Sequence, residues 1–181
     1  CRKEFTDAPQ SHAELQREAM EQPPFRCLVN PDDPAFANPS SMITAIQDYC
    51  RTTNQYVPQG YAEIIRCVFD SLALRYRQVF TWLKEFADFS IDTLYIIGGG
   101  SLNSYLNQMT ANSCGVNVKA GPQEATAIGN IMLQAKAAGE VTDIWDMRSI
   151  ITKSIEQLTF EPQDKALWDE AYDNFLKVTK K

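Results

Sequence analysis

Two glycine-containing turns hold the residues of this chain whose types and spacing suit ligand binding. The first is Gly98-Gly99-Gly100, which ends the short apolar run 94–97 and is followed by Ser101. Glycine lets a backbone turn sharply and approach a ligand closely, and free N–H groups at the start of a helix attract phosphate. Ser101 is a favourable N-cap for the next helix. The turn is typical of a phosphate-binding loop, although ordinary strand-to-helix connections use the same residues.

The second turn, Gly121-Pro122, also follows a short strand-like run. We interpret it as the start of a helix over 122–138, with Pro122 at the first helical position and Glu124 in the first turn, where a carboxylate is favourable. Small residues then follow at Ala125, Ala127 and Gly129. They would admit either a neighbouring helix or a flat ligand, and the residues alone do not decide between the two.

Alternating helices and strands are predicted to position these turns. Residues 93–98 and 116–119 are predicted strands, the first apolar enough to be buried on both faces of a parallel sheet, with edges that must pair with something. The predicted helices cover 1–22 with a break near residues 7–9, then a short helix capped by Ser40-Ser41 that ends near residue 50, then 61–87, 101–114 with Gly115 as its C-cap, 122–138, 144–156 and 163–178. This order predicts an α/β fold.

Apolar stripes at helical spacing predict which helix faces are buried. In the helix over 61–87 the stripe is Ile65, Val68, Phe69, Leu72, Tyr76, Val79, Leu83 and Phe86. In the last helix the inward residues are Leu167, Ala171, Phe175 and Leu176.

Composition excludes several classes of protein. The chain has 181 residues and a net charge of −6, which argues against a nucleic-acid surface. No apolar run is long enough to cross a bilayer, and the opening residues, Cys1-Arg2-Lys3-Glu4, do not form a signal peptide. We therefore expect a cytoplasmic protein that binds neither nucleic acid nor membrane.

Five cysteines and a single histidine lack the spacing of a zinc site, so no metal ligand is predicted. Cys50 and Cys67 could approach across a pair of helices, which their spacing does not establish. Reduced thiols are expected in a cytoplasmic protein.

Together, the two turns resemble the carboxy-terminal domain of the FGGY family of carbohydrate kinases. The resemblance runs without a gap through residues 98–141 and extends over most of the chain. A narrower resemblance, to the family members that act on L-rhamnulose, rests on residues 30–39, 42–50, 57–58 and 63–76. Because the resemblance begins in mid-domain at Cys1, we expect a fragment truncated at its amino end.

The resemblance implies a ribonuclease-H-like fold of the actin-type ATPase class, with extra helices. On this basis residues 1–60 are a helical and loop insertion, 61–141 the nucleotide-binding α/β core, and 142–181 the carboxy-terminal helices. It also implies transfer of the γ-phosphoryl group of ATP to the 1-hydroxyl of L-rhamnulose, or of a related ketose, in L-rhamnose catabolism.

The residues implied to bind ATP or ADP lie on the two turns. Gly98, Gly99 and Gly100 would lie against the ribose and α-phosphate, Asn103 would hydrogen-bond an adenine edge, and Gly121 would border the same cleft. Ser101, Glu124 and Ala125 complete the set. The catalytic aspartate, most sugar contacts and the main Mg²⁺ ligands are expected in the missing half, so this chain should not catalyse alone.

Alternative interpretations stay open. The sugar could be xylulose, fuculose or another ketose, and the chain could be a non-catalytic nucleotide-binding or interaction domain. A dinucleotide-binding module is disfavoured because the glycines do not follow G-x-G-x-x-G. Other candidate side chains are interpreted as structural: Asp32-Asp33 as a solvated turn, Asp70 as a helix-surface residue, Asp92 as a turn residue and His12 as an exposed helix residue.

Overall fold

The computed structural model describes residues 4–6, 9 and 11–179, which form seven α-helices and a three-stranded sheet. The helices are α1 (His12–Met20), α2 (Met42–Thr52), α3 (Gly60–Phe86), α4 (Ser104–Cys114), α5 (Ala125–Ala137), α6 (Ile144–Ser154) and α7 (Lys165–Thr179). The strands are β1 (Thr93–Ile96), β2 (Asn117–Ala120) and β3 (Leu158–Phe160). Much of the start of the predicted helix 1–22 lies outside the described residues. Among those described, no helix is both long and apolar enough to span a membrane.

The sheet has the order β1-β2-β3. β1 and β2 are parallel, with Thr93 opposite Asn117 and Ile96 opposite Ala120, and α4 forms the crossover between them. β3 is antiparallel to β2. The sequence did not reveal β3, because a three-residue strand is too short to show a period. Within the described ranges, no strand pairs with the other edge of β1.

β1 is only half-buried, so the prediction of a strand buried on both faces was wrong. Tyr95 is 61% exposed and Ile97 is also exposed. The face that carries Tyr95 and Lys119 lines a cavity of about 390 Å³ shared with Arg148 of α6. An apolar run indicates that a strand can be buried, but it does not reveal how many faces are covered.

The long helix α3 is the centre of the packing, and its bounds agree with the prediction to within one residue. Its core face differs from the predicted stripe. The buried residues are Ile64, Ile65, Cys67, Asp70, Ser71, Ala73, Leu74 and Phe80, whereas Tyr76, Val79, Leu83 and Phe86 are exposed, Phe86 to 88%. In the last turns of α3, Phe80 is buried beside the end of α4, whereas Leu83 and Phe86 lie on faces that stay exposed among the described residues.

In α7, Ala171 and Phe175 are buried as predicted, but Leu167 is exposed. Trp168 takes the inward position instead and packs edge-on against Phe25, with ring centroids 4.8 Å apart. Leu167 and Trp168 are adjacent in sequence, and helical spacing alone does not show which of the two is buried.

Two aspartates that were predicted to be solvated are buried. Asp33 Oδ1 accepts a hydrogen bond from the Ala35 N–H at 3.0 Å and caps the 3₁₀ turn Pro34–Phe36, while its neighbour Asp32 pairs with Arg75. Asp70 is 1% exposed. The residue types correctly predicted a turn at Asp32 and Asp33. They do not predict how far the turn is buried, because that depends on the elements packed against it.

Asp70 joins α3 to the loop after α1. Its Oδ2 accepts a hydrogen bond from the Phe25 N–H at 2.7 Å, and its Oδ1 accepts one from Arg66 Nε at 2.9 Å. Burial raises the pKa of this carboxyl group, with Arg66 and the Phe25 N–H opposing the rise. The native state therefore holds the proton to a higher pH than the unfolded chain does.

This raised pKa predicts a pH dependence. The contribution of Asp70 to stability is fully present below its ordinary pKa of 3.8 and is lost as pH rises through the raised value. The amide introduced by Asp70→Asn does not titrate, so the free energy of unfolding of the unmodified chain minus that of this variant should fall as pH rises from 4 to 7. Urea unfolding at several pH values measures this difference, and a difference that rises with pH would contradict the prediction.

Three buried cysteines, Cys27, Cys50 and Cys67, come together where the loop after α1 meets α2 and α3. They are free thiols whose sulfur atoms lie within 4.8 Å of one another. Hydrogen bonding with Cys27 and Cys67 lowers the pKa of Cys50, and hydrogen bonding with Cys50 raises that of Cys27. The sequence left open whether Cys50 and Cys67 approach each other, and it gave no sign that Cys27 joins them.

Candidate functional site

The glycine turn after β1 folds as a 3₁₀ helix, Gly98–Leu102. Gly98 has a φ of 73°, a left-handed conformation that other residues rarely adopt. Ser101 is buried, and its Oγ donates a hydrogen bond to the Gly98 carbonyl at 2.7 Å. Asn107 of α4 donates to the Ser101 carbonyl at 2.9 Å. Ser101 therefore closes the turn and is not the N-cap that the sequence predicted.

Asn103 is the N-cap of α4. Its Oδ1 accepts a hydrogen bond from the Leu106 N–H at 3.1 Å, so the helix begins at Ser104 and not at residue 101. The residues between the glycines and Asn103 belong to a 3₁₀ helix, so α4 begins later than predicted. Gly115 ends α4 in the left-handed conformation, as predicted.

The second turn contains a cis peptide bond between Gly121 and Pro122, and Gly121 has a φ of 111°. α5 begins at Ala125, with Glu124 at the N-cap position and its side chain exposed. The predicted helix start at Pro122 was therefore wrong by three residues, because Pro122 belongs to the turn.

Two backbone hydrogen bonds hold the turns side by side. The Gly98 N–H donates to the Pro122 carbonyl at 3.0 Å, and the Gly121 N–H donates to the Ile96 carbonyl at 2.8 Å. Both turns follow the carboxyl ends of the parallel strands β1 and β2, which is where open α/β sheets bind their ligands. The structure thus brings the two predicted turns together at one edge of the sheet.

The surface of the site at the first turn is bare backbone. Gly99 is exposed, and a Cβ atom built on it would meet no other atom within 4 Å. A Cβ on Gly100 would lie 3.6 Å from Ile96 Cγ2. A ligand can therefore approach the backbone at Gly99 without displacing a side chain.

The donors and acceptors at the two turns fit a nucleotide better than a metal ion. They are backbone groups and the side chains of Ser101, Asn103, Gln123 and Glu124, and Glu124 is the one carboxylate in 97–103 and 121–125. A divalent Mg²⁺ ion prefers several oxygen ligands with carboxylates among them. Neither turn contains an acid–base pair for catalysis.

Sequence reasoning missed one polar contact of the site. Gln157, beside β3, donates from Nε2 to the Gly121 carbonyl at 3.2 Å. The Glu156 carbonyl also lies 3.6 Å from the position of a Cβ on Gly121. No local signal links these residues to a turn 35 positions earlier, because their proximity depends on the pairing of β3 with β2.

Comparisons with known proteins identify the family to which the chain belongs. Residues 1–138 match the model of the FGGY family of carbohydrate kinases, C-terminal domain. The chain is 54% identical to a rhamnulokinase of Bacteroides thetaiotaomicron over 97% of its own length and 36% of that protein. It is 47% identical to a rhamnulokinase of Pectobacterium atrosepticum over 82% of its length and 30% of that protein. The chain thus spans about a third of the curated relatives it matches.

A solved structure shares the fold. The crystal structure of xylulose kinase from Rhodospirillum rubrum matches 92% of this chain and 33% of the solved chain, with a TM-score of 0.63 and 19% sequence identity. The match covers a mixed α/β arrangement of helices around a small sheet. With the family match over most of its length, this chain belongs to the FGGY family of carbohydrate kinases.

Proposed function

We propose that this chain is the nucleotide-binding part of a rhamnulokinase, a kinase that transfers the γ-phosphoryl group of ATP to L-rhamnulose. The observation that carries the proposal is the pair of glycine turns, hydrogen-bonded to each other at the carboxyl ends of two parallel strands. The fold that goes with this function is the ribonuclease-H-like fold of the actin-type ATPases. The names of the relatives at 54% and 47% identity favour L-rhamnulose over xylulose as the sugar.

Each turn has a role in the proposed site. The bare backbone of Gly99 and Gly100 lies against the ribose and α-phosphate of ATP or ADP. Gly98 and Ser101 hold the shape of that turn. Gly121, Glu124 and Ala125 border the cleft from the second turn.

Asn103 has both a structural and a binding role in this proposal. Its Oδ1 is engaged as the N-cap of α4. The amide nitrogen of the same side chain is therefore the group that donates to an adenine ring nitrogen, since an amide has separate donor and acceptor atoms.

The remaining chemistry belongs to the part of the kinase that lies outside this chain. Phosphoryl transfer needs Mg²⁺ and a residue that accepts the proton of the sugar hydroxyl. The two turns have no group suited to either task, so the chain alone is expected to bind nucleotide without turning it over.

Calorimetric titration of the 181-residue chain with ADP tests this proposal. We expect saturable 1:1 binding with a Kd of about 1 mM or tighter, about −4 kcal/mol. Absence of binding, or binding of unphosphorylated adenosine with equal affinity, would contradict a nucleotide site at the glycine turns.

Two substitutions at Asn103 separate its proposed roles. Asn103→Asp keeps an N-cap of equal quality but removes the amide donor, so stability should hold while ADP binding weakens by up to about tenfold. Asn103→Ala also removes the cap and should lower the free energy of unfolding by about 1 kcal/mol. Urea unfolding and calorimetry on both variants measure the two effects, and equal ADP affinity of Asn103→Asp and the unmodified chain would exclude the adenine contact.

A further inference from the structure

A cavity of about 280 Å³ lies where the last turns of α3, the end of α4 and the start of α7 meet. It is at the opposite edge of the sheet from the glycine turns, because α4 runs back from the end of β1 to the start of β2. The 11 residues of α4 span about 16 Å. The cavity is therefore separate from the proposed nucleotide site and uses different side chains.

Three cationic side chains line this cavity: Arg77, Lys84 and Lys165. The described residues that line it include one carboxylate, Asp169, so three positive charges against one negative charge leave a net charge of +2. The chain as a whole has a net charge of −6. α4 ends at Cys114 and α7 begins at Lys165, so the negative end of one helix and the positive end of the other both lie at the cavity. These helix ends largely offset each other, and the side chains leave the cavity positive.

Asp169 fixes two of these cations in place. Its Oδ1 lies 2.7 Å from Arg77 Nη2, and its Oδ2 lies 2.5 Å from Lys165 Nζ. Lys84 differs, because its ammonium group lies over the Phe80 ring at 4.8 Å and forms no ion pair within the described part of the chain. The charge of Lys84 is therefore available to a bound anion.

The wall of the cavity contains a buried hydroxyl group without a hydrogen bond. Ser113 of α4 is 1% exposed, and its Oγ has no partner among the residues that the structure describes. A buried hydroxyl without a hydrogen bond destabilises a protein, and buried polar groups are nearly always paired. An oxygen atom of a ligand in the cavity would accept the hydrogen bond that Ser113 can donate.

Two neighbouring side chains favour an anionic ligand. Cys114 stays a neutral thiol at physiological pH, since burial raises its pKa to about 12 although Arg77 and Lys84 oppose the rise. The thiol therefore does not offset the positive charge of the cavity. Asn112 uses its Oδ1 as the acceptor for the Gln163 N–H at 3.0 Å, which leaves its amide N–H groups as donors. The groups that a ligand can reach are thus mainly hydrogen-bond donors.

We propose that this cavity binds a tetrahedral oxyanion, of which inorganic phosphate is the simplest case. The anion accepts hydrogen bonds from Lys84, Lys165 and the Ser113 hydroxyl, while Asp169 keeps Arg77 and Lys165 in place. These donors belong to three different helices, and a tetrahedral oxyanion presents acceptor atoms in all of their directions. The binding is reversible and forms no covalent bond.

Calorimetric titration of the 181-residue chain with inorganic phosphate, at an ionic strength kept constant with sodium chloride, tests this proposal. We expect one site with a Kd of about 1 mM, and sulfate should bind with similar affinity. Lys84→Met should weaken phosphate binding by about tenfold or more, because it removes a charged donor. Lys136→Met, the same change at an exposed position of α5, should leave the affinity unchanged. Absence of saturable phosphate binding, or an equal loss of affinity in both variants, would overturn the site.

Two further variants separate binding from structure and locate the ion. Ser113→Ala removes the unpartnered hydroxyl, so the melting temperature without phosphate should be unchanged or higher, while phosphate affinity falls by about tenfold. A lower melting temperature with unchanged phosphate affinity would show that Ser113 is only structural and would contradict the proposal. Gly99→Val should bind phosphate as tightly as the unmodified chain does. Loss of phosphate binding in Gly99→Val would place the ion at the glycine turn and overturn the site.

A parallel titration with glycerol 3-phosphate identifies the source of the anion. Tighter binding of this ester than of inorganic phosphate would assign the site to the phosphate group of a metabolite, and weaker binding would assign it to the free ion. Either result supports the site when Lys84→Met weakens the binding, and binding that Lys84→Met leaves unchanged would overturn it.

Discussion

Gly99→Val is expected to abolish ADP binding without changing the thermal stability of the chain. Gly99 is exposed, its φ is not in the left-handed region, and a Cβ atom there would meet nothing within 4 Å. Valine can therefore be accommodated by the protein, with an effect on stability within about 0.5 kcal/mol. Its two methyl groups would occupy the space through which a nucleotide reaches the backbone, and we expect a loss of affinity of about 100-fold or more in a calorimetric titration.

The choice of Gly99 matters because its neighbours would give ambiguous results. Gly98 and Gly121 have φ values of 73° and 111°, so valine at either position would strain the backbone and affect stability and binding together. Ala138→Val is a matched control, since Ala138 is exposed at the far end of α5, about 20 Å along the helix from Ala125. Unchanged ADP affinity in Gly99→Val would place the nucleotide elsewhere on the chain.

Asp70→Ala is expected to lower the free energy of unfolding by about 3–5 kcal/mol, the cost of removing one partner from a buried ion pair. The substitution leaves Arg66, only 13% exposed, without its carboxylate, and leaves the Phe25 N–H without its acceptor. Arg66 Nη1 also donates to the carbonyls of Met20 and Gln22, so the segment after α1 would lose its fixed position on α3. Urea unfolding followed by circular dichroism measures the loss.

The chain offers a matched ion pair on its surface. Arg77 Nη2 lies 2.7 Å from Asp169 Oδ1, but the Asp169 side chain is 39% exposed. Asp169→Ala should therefore cost far less than Asp70→Ala, since solvent screens exposed pairs. Similar losses in Asp70→Ala and Asp169→Ala would show that burial does not set the strength of the Asp70 interactions.

The sequence by itself determined most of the local structure. The ends of α3 were predicted to within one residue, and Ser41 caps α2 through a hydrogen bond from the Thr44 N–H, as its position before an apolar helix indicated. Gly115 ends α4 with a φ of 68°. Helical periodicity, cap chemistry and the freedom of glycine act over a few residues, so a single sequence can report them. The resemblance of residues 98–141 to the FGGY family was likewise recognisable from the sequence, and the family match confirms it.

Only the tertiary structure decided which groups meet and which are covered. Three contacts join segments that are distant in sequence. They are the hydrogen bond from Gly98 to Pro122, the hydrogen bond from Gln157 to Gly121, and the clustering of Cys27 with Cys50 and Cys67. The burial of Asp70 and the exposure of Phe86 had the same origin, because neighbouring elements determine the cover of a helix face. Such pairings depend on strand order and helix packing, which no local pattern of residue types encodes.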